Sequence, residues 1–423
     1  MYLEKVRIKN FKAIKEIQLE FQPGVNLLIG DNGVGKTSIL EAISVGLAGF
    51  LSGIKNVNTK NILQEDIRFH ISKQGGASSA LEYKIPVEIE CVLQTAARSY
   101  KWTRSRALED AKTKIDNRDI CKYAQELTND PEKVLPLLSF QSEARVWQKK
   151  RGDFGTVLKK KLNDRRCGYI GCLDYSLDIK GIKEWCLKME LSAFQLEKKV
   201  AEYETFKMLV ADVMQKMSGL AKRPEIYYSK QLDDIVYRDE GQEMPVSFLS
   251  AGYQSLLWMT MDLAYRLALL NPDAGDGIKE VPGIVLIDEL DMHLHPKWQW
   301  NVLAALEETF PQIQFIVATH SPIIISSCKE EKMIQIAETG EITYLPGAYA
   351  YPVEDVLRFR QGSHEKPENV EALVNEFEKA MNRYDYAGAR MVIEEMKAVL
   401  GENHSEVKKV QDELDISEWV GEN

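Results

Sequence analysis

The stretch "GVNLLIGDNGVGKTSILEAI", Gly24 to Ile43, decides how the rest of the chain is read. An apolar run ends in a glycine-rich turn, and G-x-x-x-x-G-K-[ST] is filled by Gly30, Gly35, Lys36 and Thr37, with Ser38 next. Glycines let backbone N–H groups converge on phosphate oxygens, Lys36 brings a point charge, and the Thr37 hydroxyl suits Mg²⁺. We therefore expect a strand, a phosphate loop and a helix from Lys36 to about Leu47. Asp31, Asn32, Gly33, Gly35, Lys36, Thr37 and Ser38 then surround a nucleotide.

Outward from this unit, "LEKVRIKNF" and "AIKEIQLEF" alternate as strands, and "ALEYKIPVEIECVLQ" with "SYKWTRSR" has the period of an antiparallel pair. From about Ala107 to Gly219 the pattern turns polar, irregular and mostly helical, as in an insertion. Strand signals return at "PEIYYSK" and "DIVYRD". A helix is expected from about Ala251, the strand "GIVLID" after it, a helix from Pro296, the strand "IQFIVAT", and short strands near Ile334 and Ile342. This alternation is that of an α/β sheet. The expected segments are 1–105, an N-terminal lobe; 106–224, the insertion; 225–350, a C-terminal lobe; and 351–423, an acidic helical tail resembling an appended hairpin.

Three further stretches carry chemistry. In "GIVLIDELDMHLHP", Gly283 to Pro296, the strand end delivers Asp288 to a magnesium shell and Glu289 to a water near a γ-phosphate. His293 and His295 sit in the loop before Pro296 rather than on one helical face, so the spacing is not that of a zinc hydrolase helix. Asp291 and these histidines are expected to line a subunit contact. In "FLSAGYQSLLW", Ser250, Gly252 and Gln254 open a helix whose first N–H groups suit a phosphate, with simple capping by Ser250 as the alternative. In "FIVATHSP", His320 ends a strand and is placed to hold a γ-phosphate or a water.

Composition narrows the setting. The 423 residues carry a formal charge of −10, which argues against binding polyanions over the whole surface. Local charge differs: between Arg145 and Arg166, Lys and Arg far outnumber Asp and Glu, with Trp147 and Phe154 interleaved. This is a candidate nucleic-acid segment, set against a merely solvated one. The six cysteines are irregularly spaced, including Cys167 and Cys172, and point to ordinary thiols in a reducing cytoplasm. The longest apolar run, "SLLWMTMDLAYRLALL", is broken by Asp262 and Arg266 and suits a buried helix rather than a membrane span.

The ordered set of phosphate loop, helix-start serine, acidic strand end and histidine resembles the ATP-binding-cassette superfamily, in its RecF, SMC and OLD-like branch. The match spans about 1–105 and 225–345. By that resemblance Gly30, Gly33, Gly35, Lys36, Thr37 and Ser38 are the Walker A residues, Asp288 and Glu289 the Walker B pair, Asp291 the D-loop and His320 the switch histidine. "LSAGYQ" resembles the signature, with Ala251 and Tyr253 as departures. The implied fold is an ABC-type ATPase head with a helical insertion and a helical extension; the implied cofactors are ATP and Mg²⁺. Gln64 is favoured over Gln141 as the glutamine near the metal, and Lys12 is placed near the adenine or else solvated.

"LIDELDMHLHPKWQ", "FPQIQFIVATHSP" and "LSAGYQSLLW" further resemble ATPases of bacterial antiphage systems, such as the PtuA subunit of Septu and retron-associated ATPases. The resemblance implies a homodimer or higher homo-oligomer with composite ATP sites and a separate partner nuclease of HNH type. The tail after Tyr351 is too short for the Toprim nuclease of OLD proteins. DNA repair or chromosome maintenance, and the motor of a membrane transporter, stand as alternatives.

Overall fold

The computed structural model describes residues 1–74, 78–142, 164–175, 177–329, 332–361 and 367–422. The chain opens on a hairpin of Tyr2–Phe11 (β1) and Ile14–Glu20 (β2), followed by Val25–Ile29 (β3) and the helix Lys36–Leu51 (α1). Phe69–Gln74 (β4) and Ser78–Tyr83 (β5) form a two-stranded ribbon. Val87–Gln94 (β6), Ser99–Arg106 (β7) and Lys114–Ile115 (β8) extend the hairpin into an antiparallel sheet of order β2-β1-β6-β7-β8. In β6 every second residue is buried, the signature of a sheet with one face on the core.

Asp119–Asn129 (α2), Leu137–Gln141 (β9), Ile179–Leu196 (α3) and Ala201–Ser218 (α4) follow. Glu225–Ser229 (β10), Asp234–Arg238 (β11) and Glu243–Pro245 (β12) make a three-stranded sheet leading to Ala251–Leu270 (α5). Next come Gly283–Ile287 (β13), Pro296–Gln299 (α6), Val302–Thr309 (α7), Ile313–Ala318 (β14), Pro322–Ser327 (α8), Lys332–Ile336 (β15) and Ile342–Leu345 (β16).

The central sheet has the order β16-β15-β3-β14-β13-β9 and is parallel from β15 through β9. Strands β3, β9, β13 and β14 are buried at every residue, as parallel strands covered on both faces must be. Their register sets up the site. Ile287 pairs with Val317 and Val317 with Leu27, so the strand ends leading into Asp288, Thr319 and Gly30 leave one edge of the sheet together. Loops at that carboxyl edge are where parallel α/β sheets bind ligands.

Helix α1 joins this sheet to the antiparallel one. Trp102 Nε1 donates to the Gly46 carbonyl at 2.9 Å, and a Cβ at Gly46 or Gly49 would collide with Cys91 or Trp102. The helix runs four residues beyond the expected Leu47 because Ala48 to Leu51 stay apolar and buried against this packing.

Two expectations are refined. Among its described residues, the stretch 106–224 carries three α-helices, yet it returns Leu137–Gln141 to the central sheet as an edge strand beside β13. A five-residue buried strand has no periodicity to separate it from a helix, which is why the sequence left it inside the insertion. The expected hairpin in the tail is larger: residues Glu354–Asn423 form a compact unit of their own. It contains Val353–Arg360 (α9), which begins one residue earlier, Glu368–Asn382 (α10), Tyr386–Leu400 (α11) and Ser405–Glu422 (α12). Phe377, Ile393, Met396, Val407, Val410 and Leu414 form its core. Among the described residues no helix is long and apolar enough to cross a membrane.

Candidate active site

The phosphate loop is held open by its glycines. Gly30, Gly33 and Gly35 all have positive φ, and a Cβ at Gly30 would collide with the Ile336 carbonyl. Gly35 caps α1 without a side-chain hydrogen bond, so the helix presents its first N–H groups and the positive end of its dipole to the loop. Asp31, Asn32 and Gly33 lie exposed at the rim, and Ser38 is half-buried. Lys36 is buried; its Nζ donates to the carbonyls of Gly30 at 2.8 Å and Asp31 at 2.9 Å. An ammonium has three donors, so one remains. Burial lowers the Lys36 pKa, against the opposing pull of Glu289, Asp288, Asp31 and Asp291.

Asp288 is 2% exposed at the end of β13. Its Oδ1 accepts from Thr37 Oγ1 at 3.2 Å, and its N–H donates to the Gln141 carbonyl at 2.8 Å. Glu289 follows with φ of 48°, a left-handed conformation that costs a residue with a Cβ about 1–2 kcal/mol. Strain of this kind persists where surrounding structure enforces it. Here Leu290 N is tied to the Ala318 carbonyl and Met292 N to the Glu289 carbonyl. The turn brings Glu289 Oε1 to 3.6 Å from His320 Nε2. Burial, reinforced by the Lys36 charge, lowers the His320 pKa, so the imidazole is neutral at pH 7. Asp291 Oδ1 accepts from Thr319 Oγ1 and, at 3.3 Å, from His320 N, which fixes the strand end that carries the histidine. His295 caps α6, its Nδ1 accepting from Lys297 N at 3.2 Å.

Ser250 is exposed at the start of α5, and its hydroxyl makes no capping bond. Gln254 instead braces the turn from within, donating to the carbonyls of Leu249 at 2.7 Å and Ser247 at 3.1 Å. A Cβ at Gly252 would collide with the His293 carbonyl, so this glycine lets the α5 start pack on the loop after Glu289. Tyr253 adds an edge-on contact with Trp298, ring centroids 4.3 Å apart.

The two glutamines separate clearly. Gln64 sits exposed in a short 3-10 turn, whereas Gln141 ends β9 beside Asp288 with its side chain 1% exposed as a residue. Lys12 is bound rather than solvated: Nζ pairs with Glu41 on α1 and lies 3.6 Å from Asp66 Oδ1. Sequence reading missed Glu41, one helical turn beyond Thr37. It also missed Lys60, whose Nζ sits 3.8 Å from the Tyr175 ring centroid and 4.8 Å from that of Phe140. Burial pushes the Lys60 pKa down to about 8. Neither belongs to a local motif: the fold brings Lys12 to Glu41 of α1, and Lys60 to Phe140 of β9.

Most of the basic segment 145–166 lies outside the described residues. Within it, Arg165 is committed to the carbonyls of Leu270, Pro131 and Lys133, and Arg166 to Asp164. These two cations hold structure rather than standing ready for phosphate. Cys167 and Cys172 are buried, and neither forms a disulfide among the described residues.

The AAA domain family matches residues 5–232, and a second AAA domain family matches residues 191–326. The Retron Vc95 probable ATPase of Vibrio cholerae serotype O1 biovar El Tor is 27% identical, over 90% of this chain and 84% of the relative. Septu protein PtuA of Bacillus thuringiensis is 25% identical, over 90% of each. Among solved structures, an SMC head bound to the C-winged helix domain of ScpA is 17% identical and covers 82% of this chain and 98% of its own, with a TM-score of 0.49.

Proposed function

The chain belongs to the AAA domain family, and from that premise we propose that it binds and hydrolyses Mg·ATP, dimerises through the nucleotide, and regulates a partner nuclease in bacterial antiphage defence. The observation that carries the chemical part is the 3.2 Å approach of Thr37 Oγ1 to Asp288 Oδ1 across the sheet edge. A hydroxyl and a carboxylate are hard oxygen donors of the kind Mg²⁺ selects. Gln141 Oε1, buried without a hydrogen-bond partner, suits the same site and takes the role expected of Gln64. When bound, Mg²⁺ neutralises charge on the phosphate oxygens.

The protein's own groups do the rest by position. The spare donor of Lys36 and the N–H groups at the α1 start hold the β- and γ-phosphates, with Asp31, Asn32, Gly33, Gly35 and Ser38 around them. Glu289 orients the attacking water and accepts its proton. Neutral His320, 3.6 Å from Glu289, holds the far side of that water or the γ-phosphate. Lys12, anchored by Glu41 and Asp66, borders the base. Ser250 faces the nucleotide of a second copy, Gly252 and Gln254 hold the turn that presents it, and Asp291 and His293 line the contact between copies. The retron and Septu relatives support the defence setting; an HNH-type partner nuclease and nucleic-acid contact through 145–166, Arg165 and Arg166 apart, complete the reading.

Phosphate-release and nucleotide-binding assays on Glu289→Gln test the chemical claim. We expect ATP affinity to be retained and hydrolysis to slow by roughly 10²–10⁴-fold. An unchanged rate removes Glu289 from that role.

A further inference from the structure

Gln141 Oε1 and Asp262 Oδ1 are both buried without a hydrogen-bond partner. Their residues are nevertheless joined: Gln141 Nε2 donates to Asp262 Oδ2 at 2.9 Å and to Ser139 Oγ at 2.8 Å. Leaving two oxygens unpaired in a dry interior is costly, so the arrangement calls for a reason other than stability. Arg266, one turn further along α5, donates through Nε to Asp262 Oδ2 at 2.9 Å. Its Nη1 reaches the carbonyls of Gly168 and Ile170 at 2.9 and 3.0 Å.

The chemistry of the carboxylate fixes which way the amide points. An ionised Asp262 only accepts, so it must receive the NH₂ end of Gln141, and Oε1 is turned away from α5. The backbone of the same glutamine receives Asp288 N at 2.8 Å. Asp262 itself lies on the helix that Ser250 opens, twelve residues or roughly 18 Å along its axis. One helix thus links the two: its start presents Ser250, and its middle holds the side-chain amide of the residue whose backbone carbonyl receives Asp288 N.

We propose that Asp262 is a positioning residue that couples the Ser250 end of α5 to the Gln141 amide, so that a nucleotide contacted by Ser250 in the second copy tunes the site of the first. The inference rests on the reading that Ser250 faces a second copy's nucleotide. Coupling then runs both ways around a symmetric dimer, and binding of Mg·nucleotide is positively cooperative. Arg266 holds the Gly168–Ile170 turn to the same helix, which places the insertion under the same control.

The test uses the full chain and ATPγS with Mg²⁺, reading the Hill coefficient of binding and the mass by light scattering, with kcat and KM for ATP alongside. Wild type is expected to dimerise with a Hill coefficient above 1. Asp262→Asn keeps the side-chain volume but can present either amide end to Gln141. It is expected to dimerise with a Hill coefficient clearly below that of wild type, to keep affinity for the first nucleotide within about twofold, and to lose roughly tenfold in kcat, as loss of a supporting contact does. If Asp262→Asn folds poorly, Asp262→Asn with Arg266→Met removes both buried charges together and is expected to fold and to lose cooperativity equally. A dimer whose Hill coefficient and kcat are untouched by either variant overturns the proposal and leaves the composite site standing. A wild-type protein that binds ATPγS but stays monomeric overturns both, and the mass tells the two failures apart.

Discussion

The sheet edge that carries Lys36, Asp288 and His320 and the helix start that carries Ser250 are built to opposite plans. At the first, Lys36 is seated on two carbonyls, Asp288 on Thr37 and Gln141, and the His320 backbone on Asp291. At the second, Ser250 is exposed and caps nothing, and Phe248 two residues earlier is 77% exposed. The first region is organised from within by its own backbone before any ligand arrives. The second stands exposed, as the proposed contact of Ser250 with a second copy's nucleotide requires.

Removing a support from the self-contained region should have the largest effect. Lys36→Ala deletes the one cation on the phosphate loop, and nucleotide affinity is expected to fall roughly 100-fold, the loss of a charge-assisted contact near 3 kcal/mol; titration calorimetry measures it. Ser250→Arg breaks the comparison from the other side. Affinity for ATP by the isolated chain should stay within about threefold, while hydrolysis falls about 100-fold, in the range for losing one transition-state donor. A variant that loses both together would show that Ser250 serves its own chain's nucleotide.

A smaller effect sharpens how His320 works. Burial and Lys36 lower its pKa from 6.5, so the neutral imidazole persists through pH 7, and its protonation at lower pH places a second cation beside Lys36. Hydrolysis should therefore decline only below about pH 6.5, and His320→Ala, expected to lose about 10–100-fold in kcat, should flatten that limb of the pH–rate curve. The smallest effect is on stability. Gly252→Ala forces the α5 start away from the His293 carbonyl at about 1–3 kcal/mol, read as a lower melting temperature with nucleotide affinity of the monomer unchanged.

The same contrast explains what could be read from the sequence. The phosphate loop, "GIVLID" and "IQFIVAT" combine apolar strands with chemistry at their ends, so local pattern alone put Lys36, Asp288, Glu289 and His320 at one sheet edge, and the AAA domain family matches the chain over residues 5–232. Gln141 ranks behind Gln64 in the sequence because Ser139 and Gln141 break up a strand only five residues long. Lys12 was legible only as a lysine near the adenine or else solvated, and not as the partner of Glu41, since 29 residues separate the two. The tie between Asp262 and Gln141 spans 121 residues and has no local signature at all. In α5 the broken apolar run was enough to exclude a bilayer, yet it gave no hint that Asp262 and Arg266 face inward together.

The central claim is that two copies share each nucleotide, and the mass of Glu289→Gln by light scattering, with and without Mg·ATP, tests it most directly. The account predicts that saturating nucleotide doubles the mass and that adding Ser250→Arg to the same chain returns it to the monomer. A mass that stays at one chain with ATP bound, or a dimer indifferent to Ser250→Arg, would contradict it.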